Sequence, residues 1–184
     1  PWSSDHPAVI DHCRSLLQGG MTFSHLLQSI FYPAMVEIGV GWEQGRLSVA
    51  MEHQATAMVY RILSALYSEQ PFPSAERGRA LVASVADEFH ELGAWMVTTC
   101  LDLDGWDVTY LPRDCTLEQV VAAAVERPPA FVALSVGLPS HVQSARETVS
   151  ALREALGPAS PTKILVGGRA FGTAPSLVES VGAD

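Results

Sequence analysis

Apolar residues change their spacing near residue 74, which limits the chain to two differently built parts. Before that point apolar side chains recur every three to four residues, the pattern of helices that bury one face. After it, short β-branched runs alternate with helical stretches, the pattern of βαβ units around a parallel sheet. In residues 7–18, Val9, Ile10, Cys13, Leu16 and Leu17 keep the helical period until Gly19 and Gly20, a usual stop. Thr22 or Ser24 can cap a second helical segment carrying Leu26, Leu27, Ile30, Phe31, Met35 and Ile38. Pro33 lies inside it and is expected to kink or break it, because proline has no N–H to donate. Gly45 ends that segment, and Ser48 can cap a third helix over residues 49–67. Residues 70–78, QPFPSAERG, hold two prolines and a glycine with little to bury, and read as a linker. Residues 1–73 are therefore expected to form a helical bundle cap and residues 74–184 an α/β domain.

In the second part the expected strands are residues 80–85, 106–111, 130–135 and 163–166. Helices are expected over 92–103, 117–126, 142–156 and 174–181. The order βαβαβαβα predicts a Rossmann-like, flavodoxin-like doubly wound parallel sheet. Residues 182–184 read as a turn toward a fifth strand, so the natural protein is expected to continue.

With 48% of its 184 residues hydrophobic, the chain has ample material for a buried core. Its longest apolar runs, residues 80–86 and 130–136, are far shorter than the ~20 residues that span a bilayer. The first eleven residues lack the basic and apolar regions of a secretory signal, so a cytoplasmic protein is expected, with no membrane partner. A net charge of −9 opposes direct nucleic-acid binding by this segment, since such a surface must neutralise phosphates. Cys13, Cys100 and Cys115 are odd in number, widely spaced and free of CxxC pairs, and read as reduced core residues.

Ligands of an open parallel sheet bind outside the carboxyl ends of its strands, where three loops fall. The first, residues 87–93, carries Glu88, His90 and Gly93. His90 is an imidazole above a sheet edge, Glu88 can hold its second ring nitrogen, and Gly93 lets a ligand approach the backbone. The second loop runs from Ser135 through Gly137 and Leu138 to Ser140, and the third holds Gly167 and Gly168. Small residues in both can leave room for a bulky group. A lone loop histidine is most often a surface residue, and single glycines are most often turn residues. Their joint position at three strand ends is stronger evidence. His141 lies close to this site in sequence and is expected to cap the next helix rather than touch a ligand. His6, His12 and His25 have no partner motif and read as surface or packing residues.

The E-x-H-x-x-G of Glu88, His90 and Gly93, with the Ser135 loop and the Gly167–Gly168 pair, resembles the cobalamin-binding domains of methionine synthase, mutases and B12-dependent regulators. The usual motif has Asp where this chain has Glu88. The resemblance implies that His90 is the lower cobalt ligand, oriented by Glu88. It also implies that Gly93, Ser135, Gly137, Leu138, Gly167 and Gly168 line a channel for the displaced nucleotide tail. Gly137 replaces the bulkier residue often found after the serine. In residues 40–56, Trp42, nine further residues and then Glu52-His53 resemble the helical domain that precedes the cobalamin domain in the light-sensing CarH group. There the tryptophan and the Glu-His pair cover the upper face of the corrin against an adenosyl group. CarH-type sensors carry a histidine directly after the tryptophan; Glu43 stands there in this chain, which argues against a bis-histidine light state by that route. Without the resemblance, Trp42 reads as a packing aromatic and Glu52-His53 as a solvated helix face.

The resemblance implies a non-enzymatic photoreceptor or sensor module binding adenosylcobalamin, with methylcobalamin as the other form, in which light cleaves the upper cobalt–carbon bond. The signal would be a change of cap conformation or of a homo-oligomer, passed to an output domain or protein partner, as in transcription regulation. Some photoreceptors of this group also hold a bilin, and the resemblance leaves one open here, although no cysteine motif for its covalent attachment is evident. A second reading is a corrinoid methyl carrier of a methyltransferase system, which would share His90 and the tail loops but must expose the upper face. A degenerate domain that binds haem or nothing is a third, disfavoured because Glu88, His90 and both glycine loops are present. No set of nucleophile, base and substrate pocket is recognisable.

Overall fold

The computed structural model of the chain describes residues 6–172 and 176–184. Contacts divide the chain into two compact units, Pro1–Pro71 and Phe72–Asp184.

The first unit is helical. Helix α1 (His6–Gln18) stops at the glycine pair, where Gly20 takes a positive φ of 97°. The Thr22 hydroxyl caps α2 (Phe23–Leu26) by accepting from the His25 N–H at 3.2 Å. The chain then passes through a π-helical turn, Leu27–Phe31, into α3 (Tyr32–Glu43). Pro33, expected to kink or break the segment, sits in the first turn of α3 directly after the π turn, so regular α-helix is interrupted there. The wider turn absorbs the missing N–H. Ser48 caps α4 (Val49–Ser68) through the Met51 N–H. Leu26, Leu27, Phe31, Ile62, Leu63 and Leu66 are among the side chains that form its core.

The second unit contains β1 (Arg79–Ser84), α5 (Leu92–Leu103), β2 (Asp107–Leu111), α6 (Leu117–Glu126), β3 (Phe131–Ser135), α7 (Val142–Leu156) and β4 (Lys163–Gly167). All strand pairs are parallel and the sheet order is β2-β1-β3-β4. One face of the sheet (Leu81, Ala83, Val132, Leu134, Ile164) packs into a cluster with Val120 and Ala124 of α6 and Ala145, Val149 and Leu152 of α7. Helix α5 contacts β1, β2 and β3. Helices thus flank both faces, which a sheet of apolar parallel strands requires. Trp106 lies just before β2 rather than in it, and its ring meets Phe131 edge-on at 4.9 Å.

Beyond β4, α9 (Ser176–Ser180) lies within the helix expected over 174–181, and it is preceded by a short helix that was not expected, α8 (Arg169–Gly172). Ala174 lies outside the described residues. Ala170 and Phe171 of α8 are buried in the core cluster, a tertiary contact that a four-residue helix cannot signal by period.

Candidate functional site

The chain leaves β1 for β2 on one side, then crosses back to β3 on the other. The loops after β1 and β3 therefore flank the topological switch point, where open α/β sheets form their ligand crevice. After β1 the backbone turns sharply. Asp87 takes a positive φ of 64°, and the Glu88 N–H donates to the Val85 carbonyl at 3.1 Å. That turn sends the Glu88 side chain inward, where it is 1% exposed, and leaves His90 outward with its side chain 58% exposed.

Both oxygens of the buried Glu88 carboxylate are committed. Oε1 accepts from the His90 backbone N–H at 2.9 Å and lies 2.6 Å from His90 Nδ1. Oε2 accepts from the Gly137 N–H at 2.6 Å and the Leu138 N–H at 3.3 Å, and lies 2.9 Å from His141 Nδ1. Burial alone would push this carboxyl upward. Hydrogen bonds from the His90 and His141 rings, joined by the His90 and Gly137 backbone N–H groups, outweigh it and hold the pKa at about 2. Glu88 is thus an ionised, acceptor-only group, so Nδ1 of each imidazole must carry the donated proton. A histidine whose Nδ1 is held by a carboxylate is oriented to use Nε2 toward a metal.

The glycines of the site divide into two kinds. A β-carbon on Gly137 would lie 3.0 Å from His90 Cβ and 3.2 Å from both Glu88 oxygens. On Gly168, at φ +109°, it would lie 2.2 Å from the Val136 carbonyl oxygen. These two are small because protein already occupies the space. Gly167 meets nothing within 4 Å, and Gly93 meets only the Ser135 hydroxyl, at 4.0 Å. Room for a ligand is therefore concentrated at Gly93 and Gly167. Ser135 and Gly167 are register partners across β3 and β4, which places them side by side at the sheet edge.

His141 departs from its expected role. It occupies the position before α7, yet its side chain makes no capping hydrogen bond and turns to Glu88 instead. Its signal in the sequence was only its place six residues after Ser135. Glu91 was not singled out. Its carboxylate accepts from the Arg113 N–H at 2.6 Å and so ties the His90 loop to the loop after β2.

In the helical unit, the Arg46 and Leu47 N–H groups both donate to the Gly41 carbonyl, and a β-carbon on Gly41 would lie 2.9 Å from Leu47. This tight turn ends α3 and leaves Trp42 45% exposed. Glu52 closes the first turn of α4 and His53 follows it. Glu52 accepts from the Thr56 hydroxyl at 2.9 Å, and its other oxygen is 3.7 Å from His53 Nε2. The α/β and helical groups of predicted residues belong to different units.

Among the described residues no three or more His, Cys, Asp or Glu side chains converge on a bare metal ion. A metal held in a macrocycle asks only for an axial ligand, and the Glu88-supported imidazole beside open glycines fits that demand.

Two B12 binding domain models match the sequence, one over residues 78–184 and one over residues 4–67. The chain belongs to the B12-binding domain family. Cobalamin binding follows from this membership. The B12-binding chain is 32% identical over 171 residues to the HTH-type transcriptional repressor CarA of Myxococcus xanthus, covering 91% of this chain and 56% of that protein. It is 30% identical to the HTH-type transcriptional repressor CarH of the same organism, covering 90% of this chain and 54% of that protein. It thus spans little more than half the length of these relatives. Dimethylamine corrinoid protein 2 of Methanosarcina mazei is 23% identical, covering 88% of this chain and 75% of that protein. Among solved structures, the monomethylamine corrinoid protein of Methanosarcina barkeri shares the fold with a TM-score of 0.76 at 19% identity, covering 97% of this chain and 88% of the other. A cobalamin-binding protein of Desulfitobacterium hafniense gives a TM-score of 0.54 at 22% identity, covering 98% and 84%.

Proposed function

We propose that this chain is the cobalamin-binding sensor module of a light-responsive regulator. The observation that carries the reading is the Glu88-held His90 at the switch point of a chain whose relatives include two repressors of the CarA and CarH kind. In this reading His90 Nε2 is the lower axial ligand, Glu88 fixes its ring, and Gly93, Ser135, Gly137, Leu138, Gly167 and Gly168 shape the tail channel. Gly137 and Gly168 do so by letting the loops close. Trp42, Glu52 and His53 are assigned to the upper side of the cofactor, against an adenosyl group. Bound adenosylcobalamin supplies a cobalt–carbon bond that light can break. The module then changes the conformation of its helical unit or its homo-oligomeric state, and an output domain or protein partner in the cytoplasm reads the change. The module has no catalysis of its own. A bilin linkage is not assigned to Cys13, which is buried, or to Cys100, since burial raises both thiols away from the reactive thiolate.

A methyl-carrying corrinoid protein is the second reading, favoured by the similarity to the dimethylamine corrinoid protein. One experiment separates them. Protein loaded with adenosylcobalamin in the dark should show a spectrum with the imidazole on cobalt that converts irreversibly under green light, with a change in elution volume. Stable methylcobalamin binding with no light-driven change would favour the carrier. A His90→Ala variant with an unchanged spectrum and corrinoid affinity would remove His90 from cobalt. Identical photolysis kinetics in Trp42→Ala would remove Trp42 from the mechanism.

A further inference from the structure

We infer that residues 73–78 are a strap docked on the α/β unit, so that the chain turns between its two units within Pro71 and Phe72 alone. Residues 70–78 read as a linker in the sequence, yet hydrogen bonds hold most of them. On the helical side, the Glu69 carboxylate accepts from Arg14 Nε at 2.9 Å and from Arg14 Nη2 at 2.7 Å, tying the end of α4 to α1. The Gln70 N–H donates to the Tyr67 carbonyl at 3.0 Å and its side-chain amide to the Leu66 carbonyl at 2.9 Å. The helical unit therefore holds the chain as far as Gln70.

The strap lies on the turn between α5 and β2. The Arg77 N–H donates to the Gly105 carbonyl at 3.0 Å, and the Asp107 N–H to the Gly78 carbonyl at 2.9 Å. Arg77 also pairs with Asp104 at 3.2 Å, but both side chains are exposed, so the pair adds little. Pro73 and Ser74 close on the same glycine. A β-carbon on Gly105, whose φ is 87°, would lie 3.2 Å from the Ser74 carbonyl oxygen and 3.7 Å from the Pro73 ring. That leaves Pro71 and Phe72 between the two held ends, and the boundary of the compact units falls between them. Both are stiff. Proline fixes φ at Pro71, and Phe72 precedes Pro73, which confines it to extended backbone. The linkage is thus a narrow hinge rather than a flexible tether. The strap enters the sheet at the amino ends of β1 and β2, whereas the loops of His90 and Gly137 leave it at the carboxyl ends. A turn of the hinge therefore pulls on the end of the sheet away from the site.

None of these contacts involves the cofactor site, so the test uses the cofactor-free, 15N-labelled full chain, weakly aligned, and reads its N–H residual dipolar couplings. In the wild type, the Ser74, Arg77 and Gly78 couplings should fit the alignment of strands β1 to β4 at full magnitude. Couplings averaged toward zero at these three amides would overturn the proposal, since a loose linker gives that result. Gly105→Ala should lift the strap, so that the Ser74 and Arg77 couplings shrink while those of the strands and of residues 87–93 stay in place. Gly157→Ala is the control: its φ of 79° brings the same backbone strain, but nothing lies within 4 Å of the added β-carbon. It should leave the strap couplings as in the wild type. Equal loss in both variants, or none in Gly105→Ala, overturns the docking of the strap. A change at residues 87–93 as large as that in the strap overturns its separation from the site.

Discussion

Glu88 gathers five hydrogen bonds on a side chain that is almost wholly buried. A buried charge survives only when its lost hydration is replaced by such donors, so this one residue links stability to the geometry of the site. Its folded pKa of about 2 lies below the ordinary 4.5. The ionised form is therefore the one that folding favours, and its contribution is fully present above about pH 4.5 and lost as pH falls toward 2. By the size of the shift the contribution is on the order of 3 kcal/mol. Urea unfolding at pH 6, 4 and 2.5 should show wild type losing stability relative to Glu88→Gln over that interval. At pH 6 the Gln variant should be the weaker, by roughly 1–3 kcal/mol, because an amide cannot accept from donors on both loops. A difference between the two proteins that does not vary with pH would remove the carboxylate charge from the account.

Elements reach the site by local rules, and their ends are held by long-range ones. Helix α6 shows the local kind: Thr116 and Gln119 exchange side-chain to backbone hydrogen bonds in a capping box, which fixes the start of the helix from four adjacent residues. The turn after β4 shows the other kind. Gly168 combines a positive φ with a backbone approach to Val136, and the Ala170 N–H donates to the same Val136 carbonyl at 3.2 Å. That contact sets the end of β4 against the start of the loop that carries Gly137. Gly168→Ala should cost about 2 kcal/mol or more in urea unfolding, since it adds both a strained φ and a clash with backbone that cannot rotate away. It should also disturb the imidazole signals of His90 and His141 through the displaced loop. A variant as stable as wild type would mean that the β4 turn is not held against Val136 in solution.

At the scale of the whole chain, charge decides what this segment can bind by itself. With 20 acidic against 11 basic Lys and Arg residues, its net charge of −9 repels phosphates. Fluorescence anisotropy with duplex DNA should therefore show no salt-dependent binding, although longer relatives, of which it spans little more than half, are named as HTH-type repressors. Affinity that falls steeply with salt would show a basic surface that the overall charge conceals. The helices Leu92–Leu103, Leu117–Glu126 and Val142–Leu156 were legible to the residue, because period, caps and breakers are written in neighbouring positions. The pairing of Glu88 with His90 was legible for the same reason, being two residues apart on one loop. Tertiary structure alone decided that β3 lies beside β1. That choice delivers Gly137, Leu138 and His141 to a carboxylate some fifty positions earlier in the chain. It also decided which glycines are filled by protein and which stay open. Strand order is set by how whole faces bury against one another, and no local spacing of residues encodes that adjacency.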